Sequence, residues 1–174
     1  MLRTRDDAYS LLRSLGAPTR LLKHVQLVRE AADELMQAYG SLGIGFDRTT
    51  IELGVAVHDA GKILHPSELN GPGSDHEQAG EALMLANDVQ PHIARCCVSH
   101  AAWRSPDITF EELSVALADK LWKGKCEAEL ELRVIDSAAN TLGVERWDIF
   151  AELDGTFEEI ANGGPGRLAR SETP

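Results

Sequence analysis

The sequence predicts an all-α protein, a compact bundle of about seven or eight helices, and three observations carry that expectation. Apolar residues recur three or four positions apart between clusters of turn residues, as in Leu21, Val25, Val28, Ala32, Leu35 and Tyr39. Thr4 with Asp7, Ser74 with Glu77 and Thr109 with Glu112 have the spacing of capping boxes. No stretch alternates apolar and polar residues as a half-buried strand would; Ile51, Val55 and Val57 are β-branched but lie on a helical period.

Taken in order, Thr4 opens a first short helix that Gly16 and Pro18 close. Thr19 can cap a second, ended by Gly40, Gly43 and Gly45. Asp47 or Thr49 opens IELGVAVHDAGKIL, whose apolar composition predicts a central helix. After the Pro- and Gly-rich HPSELNGPGS, Ser74 begins a helix running to about Ala86. Pro91 fits the first position of a helix reaching His100. Thr109 starts another through Asp119 and Trp122, and two more span roughly Glu127 to Leu142 and Glu145 to Asn162, the latter weakened by Gly155. Residues 1–162 are expected to form one domain with a C-terminal helical extension, and 163–174 a flexible tail with almost nothing to bury.

A chain of 174 residues suits one domain, and a mean hydropathy of −0.20 is that of a soluble protein. No apolar run approaches the ~20 residues that cross a bilayer, and MLRTRDDAYS lacks the apolar core of a signal peptide, so a cytoplasmic location is expected. Cys96, Cys97 and Cys126 are odd in number and form no CxxC pair, which predicts reduced, packing thiols. The net charge of −11 argues against a long nucleic acid or an anionic membrane as partner. A small anionic substrate requires local positive charge.

The chemistry concentrates in His24, His58, Asp59, His76, His100 and Asp119. His24 lies one turn before Val28; His76 precedes Ala79, Gly80 and Leu83; His100 follows Ile93, Cys96 and Cys97; Asp119 neighbours Val115, Ala116 and Trp122. These spacings turn all of them inward. A lone inward histidine is most often a satisfied core residue. A buried carboxylate, however, costs several kcal/mol in order of magnitude unless partnered, and metal ions are the common partner of imidazole and carboxylate. The doublet His58–Asp59 can reach one pocket only where a helix end points into it, and Ala60–Gly61 would let metal and substrate approach the backbone.

With LLKHV, VHDAGK and ALADK in this order, the sequence resembles the HD superfamily of metal-dependent phosphohydrolases over about Leu21 to Lys125. His24, His58, Asp59 and Asp119 match that family's ligand set; His76 in DHEQAG and His100 in VSHAAW match the two histidines of its dinuclear members. The pattern is most similar to the small bacterial YqeK-like group, which splits symmetrical dinucleoside tetraphosphates. The resemblance implies an HD-domain helical bundle and two divalent ions, iron or manganese, with cobalt, nickel, magnesium or zinc as alternatives. His24, His58, Asp59 and Asp119 would hold one, His76 and His100 the other, and Asp59 would bridge. It further implies hydrolysis of a phosphoester or phosphoanhydride in a small phosphorylated substrate, a nucleotide or dinucleoside polyphosphate, by metal-activated water. Two other readings stay open: a mixed-valent di-iron oxygenase on the same fold, and a binding protein that has lost activity. A cyclic dinucleotide phosphodiesterase is disfavoured by the absence of a GYP stretch.

Asp59 and Lys62 are the expected catalytic residues, with His65 as a candidate proton donor at the mouth of the site. Lys62, Lys120, Lys123 and Arg104 are candidates for substrate phosphate, Arg104 as a rim with Trp103, against the bland alternative that Trp103 closes the core. Trp122 and Trp147 are expected in the core, His92 is expected exposed, and Asp75 and Glu77 suit a helix N-terminus without a catalytic role. The late apolar stripes could pack on the bundle or form a homodimer.

Overall fold

Helix α2 (Thr19–Leu42) is the longest element of a computed structural model that describes residues 1–172. The other helices are α1 (Arg5–Ser14), α3 (Arg48–Val57), α4 (Asp75–Leu85), α5 (Pro91–Ala94), α6 (Cys96–Ser99), α7 (Phe110–Leu121), α8 (Ala128–Leu142), α9 (Arg146–Asn162) and α10 (Gly164–Glu172). Eight of these ten exceed a single turn, two 3₁₀ turns (Ala60–Ile63 and Pro66–Leu69) join α3 to α4, and the described residues contain no strand. The all-α expectation is met. No helix among the described residues is long and apolar enough to cross a membrane.

Two apolar clusters share α2 and α3. Val28, Ala32, Leu35 and Tyr39 join Ile51 and Val55 to α7, α8 and α9, whereas Leu21 and Val25 join Leu53, Ala56 and Val57 to α1, Met84 and Ile93. His24 therefore sits on the strip of α2 where one cluster passes into the other. Helix α7 is buried nearly all round, from Phe110 to Leu121, which marks a core helix. Fully burying Leu117 and Leu121 stabilises it by about 1.5–3 kcal/mol each. Gly54 lets α3 approach closely: a β-carbon there would lie 2.8 Å from Cys96 Sγ and 2.9 Å from Val115 Cγ2.

Thr4–Asp7 and Thr109–Glu112 form reciprocal capping boxes, and Asp47 caps α3 through the Thr50 N–H. Ser74 makes no side-chain cap; the Glu68 carboxylate instead accepts from the backbone N–H of His76 in the first turn of α4. Helix α2 starts at Thr19 behind Pro18, and Gly43 stops it in the left-handed conformation (φ 73°). IELGVAVHDAGKIL is not one helix, since α3 closes at Val57 and the chain tightens into the first 3₁₀ turn. The stretch from Pro91 to His100 is likewise split at Arg95.

Beyond Asn162, where the composition predicts a tail, residues 164–172 form α10, with Arg167 buried. The tail expectation for residues 173 and 174 falls outside the described residues. Trp103 closes the core at 3% exposure, whereas Trp147, expected inside, is 71% exposed and touches Phe150. Cys96 and Cys97 are buried free thiols and Cys126 is an exposed one.

Candidate metal centre

His58 and Asp59 occupy the end of α3, where the change from α-helix to 3₁₀ turn sends both side chains to one point. The neighbouring contact is backbone on backbone. A β-carbon on Gly61 would lie 1.8 Å from the carbonyl oxygen of His76, and one on Gly80 would lie 2.8 Å from the amide nitrogen of Gly61. The glycine after the doublet thus admits α4 and its His76; the expectation that it makes room for metal or substrate is corrected.

Four imidazoles aim Nε2 inward. His24 Nε2 is 3.0 Å from Asp59 Oδ2 and 3.8 Å from Asp119 Oδ1, and His58 Nε2 is 3.7 and 3.6 Å from the same oxygens. His76 Nε2 and His100 Nε2 face the other oxygen, Asp59 Oδ1, at 3.2 and 3.8 Å. The side chains form two sets, His24–His58–Asp119 and Asp59–His76–His100, each with ligand atoms mutually within 4.8 Å and each able to hold a metal ion. Asp59 presents one oxygen to each.

Three of the outward nitrogens are held. His58 Nδ1 lies 2.8 Å from the Val55 carbonyl, His100 Nδ1 lies 3.0 Å from the Cys96 carbonyl, and His76 Nδ1 meets the Glu68 carboxylate. A carbonyl accepts only from an N–H, so in neutral His58 and His100 the proton sits on Nδ1 and the Nε2 lone pair points into the centre. Trp122 braces His24 edge-on at 5.0 Å between ring centroids.

Burial pushes the Asp59 carboxyl upward, but His58, followed by hydrogen bonds from His24 and His76, carries it well below the ordinary carboxylate range. Burial acts upward on Asp119 as well, and His58 with Lys123 draws it far down. Burial and the neighbouring His58 bring His100 down to about 4, so its imidazole is neutral. Burial also opposes charge on His58, yet Asp59 and Asp119 raise it overall. Hydrogen bonding to Asp59 raises His76 against its burial. Two ionised carboxylates and inward imidazole lone pairs are the donor set that first-row divalent ions take. Beyond the Asp59 carboxylate at 3.2 Å, His76 Nε2 is buried with no hydrogen-bond partner, and a metal bond would satisfy it.

A cavity of about 450 Å³ opens over this centre. His24, Asp59, His76, His100 and Asp119 line it, with His58 buried behind them. Lys62, Lys120 and Lys123 line it too; Lys62 Nζ also lies 2.6 Å from Asp59 Oδ2, and Lys120 Nζ lies 3.4 Å from Asp119 Oδ2. Two expected site residues fall elsewhere. His65 is grouped with Glu68 and Asp75 and does not line the cavity, which corrects its placement as a proton donor at the mouth. Arg104 stacks 3.9 Å above the Trp103 ring and pairs with Glu129 at 2.8 Å, so its charge is engaged away from the cavity and the rim role is corrected. Arg20, Glu77, Leu168, Ser171 and Glu172 line the cavity without having been singled out for it. Arg20 carried a readable signal, being one turn before His24.

The chain matches no protein-family model, no curated protein and no solved structure. What stands is an all-α protein with two His/Asp clusters able to hold metal ions.

Proposed function

We propose that the chain is a metal-dependent phosphohydrolase cleaving a phosphoester or phosphoanhydride bond of a small phosphorylated substrate. The observation that carries this reading is the division of the Asp59 carboxylate, Oδ2 toward His24 and His58 and Oδ1 toward His76 and His100. A carboxylate between two ligand sets suits a bridge between two ions. His24, His58 and Asp119 would hold one ion, His76 and His100 the other, and Asp59 both. The ordered resemblance to the HD superfamily supports this assignment. When bound, such ions lower the pKa of a water and polarise a phosphoryl oxygen.

The chain's own residues supply the rest. Lys62, Lys120 and Lys123 place positive charge along the cavity of a protein with net charge −11, and so offset phosphate charge locally. Lys62, held at Asp59, is positioned to contact a phosphoryl oxygen. The hydrogen bonds from His58 to Val55 and from His100 to Cys96 keep both rings oriented through turnover. A dinucleoside polyphosphate is the finer substrate expectation, resting on the resemblance alone.

Phosphate release from a panel of phosphomonoesters and dinucleoside polyphosphates with Mn²⁺, Fe²⁺ or Co²⁺ tests the reading. Metal-dependent hydrolysis, abolished by EDTA and by Asp59→Ala, is expected. Oxygen consumption by the iron-loaded protein without phosphate release would replace it with an oxygenase.

A further inference from the structure

Helix α10 lies outside the segment on which the resemblance rests, yet it forms one wall of the cavity. Leu168, Ser171 and Glu172 stand at i, i+3 and i+4, one face of the helix, and all three line the cavity. The neighbouring face is locked to the body. Arg167, 5% exposed, donates to the carbonyls of Trp122 (2.8 Å), Leu121 (3.2 Å) and Ile160, and Arg170 forms a two-pronged pair with Glu30 at 2.8 and 2.6 Å. At the start of the helix, Gly164 sits so close to the turn after α7 that a β-carbon would lie 2.3 Å from the Gly124 amide nitrogen. The wall is therefore fastened to the end of the helix that carries Asp119.

That face offers acceptors and no cation, unlike the part of the cavity lined by Lys62, Lys120 and Lys123. Ser171 Oγ already donates its proton to the Leu168 carbonyl at 2.6 Å, so only its lone pairs remain for a ligand. An ionised Glu172 carboxylate likewise only accepts. A phosphate, itself an acceptor and an anion, is repelled by such a face and attracted to Lys62, Lys120 and Lys123, which line the same cavity.

Resting on the phosphohydrolase reading, we propose that α10 recognises the hydroxyl-bearing part of the substrate. Ser171 and Glu172 accept hydrogen bonds from its O–H groups, Leu168 packs against its carbon skeleton, and the phosphate lies over the His/Asp centre. The ligand class is a phosphorylated polyol, either a sugar phosphate or the ribose phosphate of a nucleotide.

Calorimetric titration of the Mn²⁺-loaded protein with uncleavable phosphonates tests this. Ribose 5-phosphonate carries hydroxyls and methylphosphonate carries none. The intact protein is expected to prefer the former, and Ser171→Ala/Glu172→Ala to lose about tenfold of that preference, the worth of one charge-assisted hydrogen bond. Circular dichroism and thermal melting establish that the variant is folded; should it not be, Glu172→Gln, which keeps the shape, is read in the same way. Tighter binding of the adenosine 5′-phosphonate than of the ribose compound assigns a nucleotide, equal binding a sugar phosphate, and both support the polyol contact. An unchanged preference in the variant overturns the α10 proposal and leaves the phosphohydrolase reading intact. Binding of none of the phosphonates overturns both.

Discussion

Replacing Gly61 by alanine adds one methyl group at the seam between the first 3₁₀ turn and α4. The new β-carbon would lie 1.8 Å from the His76 carbonyl oxygen and 2.6 Å from the Gly80 amide nitrogen. A carbon–oxygen contact tolerates about 3.3 Å, so the two backbones must part by roughly 1.5 Å. Both obstructing atoms are main chain and cannot rotate away. Overpacking of this kind costs about 1–3 kcal/mol, or roughly 2–12 °C in melting temperature for a domain of this size. The displacement also carries His76 away from Asp59 Oδ1, now 3.2 Å distant. Loss of a supporting geometry around a ligand weakens metal affinity by about 10–100-fold. Differential scanning calorimetry of the metal-free protein reads the first effect and Mn²⁺ titration the second, expected at one of two sites. A Gly61→Ala protein with unchanged melting and unchanged titration would refute the reasoning.

The same substitution at Gly155, inside α9 with no atom beyond its chain neighbours and the backbone of its own helix within 4 Å of the added carbon, should raise stability by about 0.5–1 kcal/mol, measured by urea unfolding. Arg167→Ala strips three carbonyls of a buried donor and should cost about 2–4 kcal/mol, with α10 released early in limited proteolysis. Thiol alkylation at pH 8 should label Cys126 alone in the native protein. Burial holds Cys96 up at about 12, leaving roughly one part in 10⁴ as thiolate, and Cys97 is also raised by burial, so both should react only on unfolding, as mass spectrometry of labelled peptides will show.

The residues of the two ligand sets were legible because each interrupts an apolar helical stripe with a group that cannot be buried alone. The capping boxes at Thr4 and Thr109 were legible for a similarly local reason, since side chain and backbone partner lie three residues apart. Ser74 has the same pattern without the bond, because Glu68, brought close by the second 3₁₀ turn, takes a backbone N–H in that first turn. Helix α10 was hidden by composition. Its stretch has one large apolar residue, Leu168, and its anchor is a guanidinium satisfied by carbonyls from distant turns, which no local pattern encodes. Arg104 and His65 show the converse: nearness in sequence to His100 and to His58–Asp59 suggested the cavity, but Glu129 from α8 engages one, and the other stands with Glu68 and Asp75.

Counting ions by mass spectrometry of the metal-reconstituted, desalted protein addresses the centre most directly. The wild type should carry two per chain, and Asp59→Ala, which removes the one carboxylate facing both ligand sets, should lose occupancy of both. A wild type that retains none, or an Asp59→Ala protein that keeps two, would contradict the arrangement.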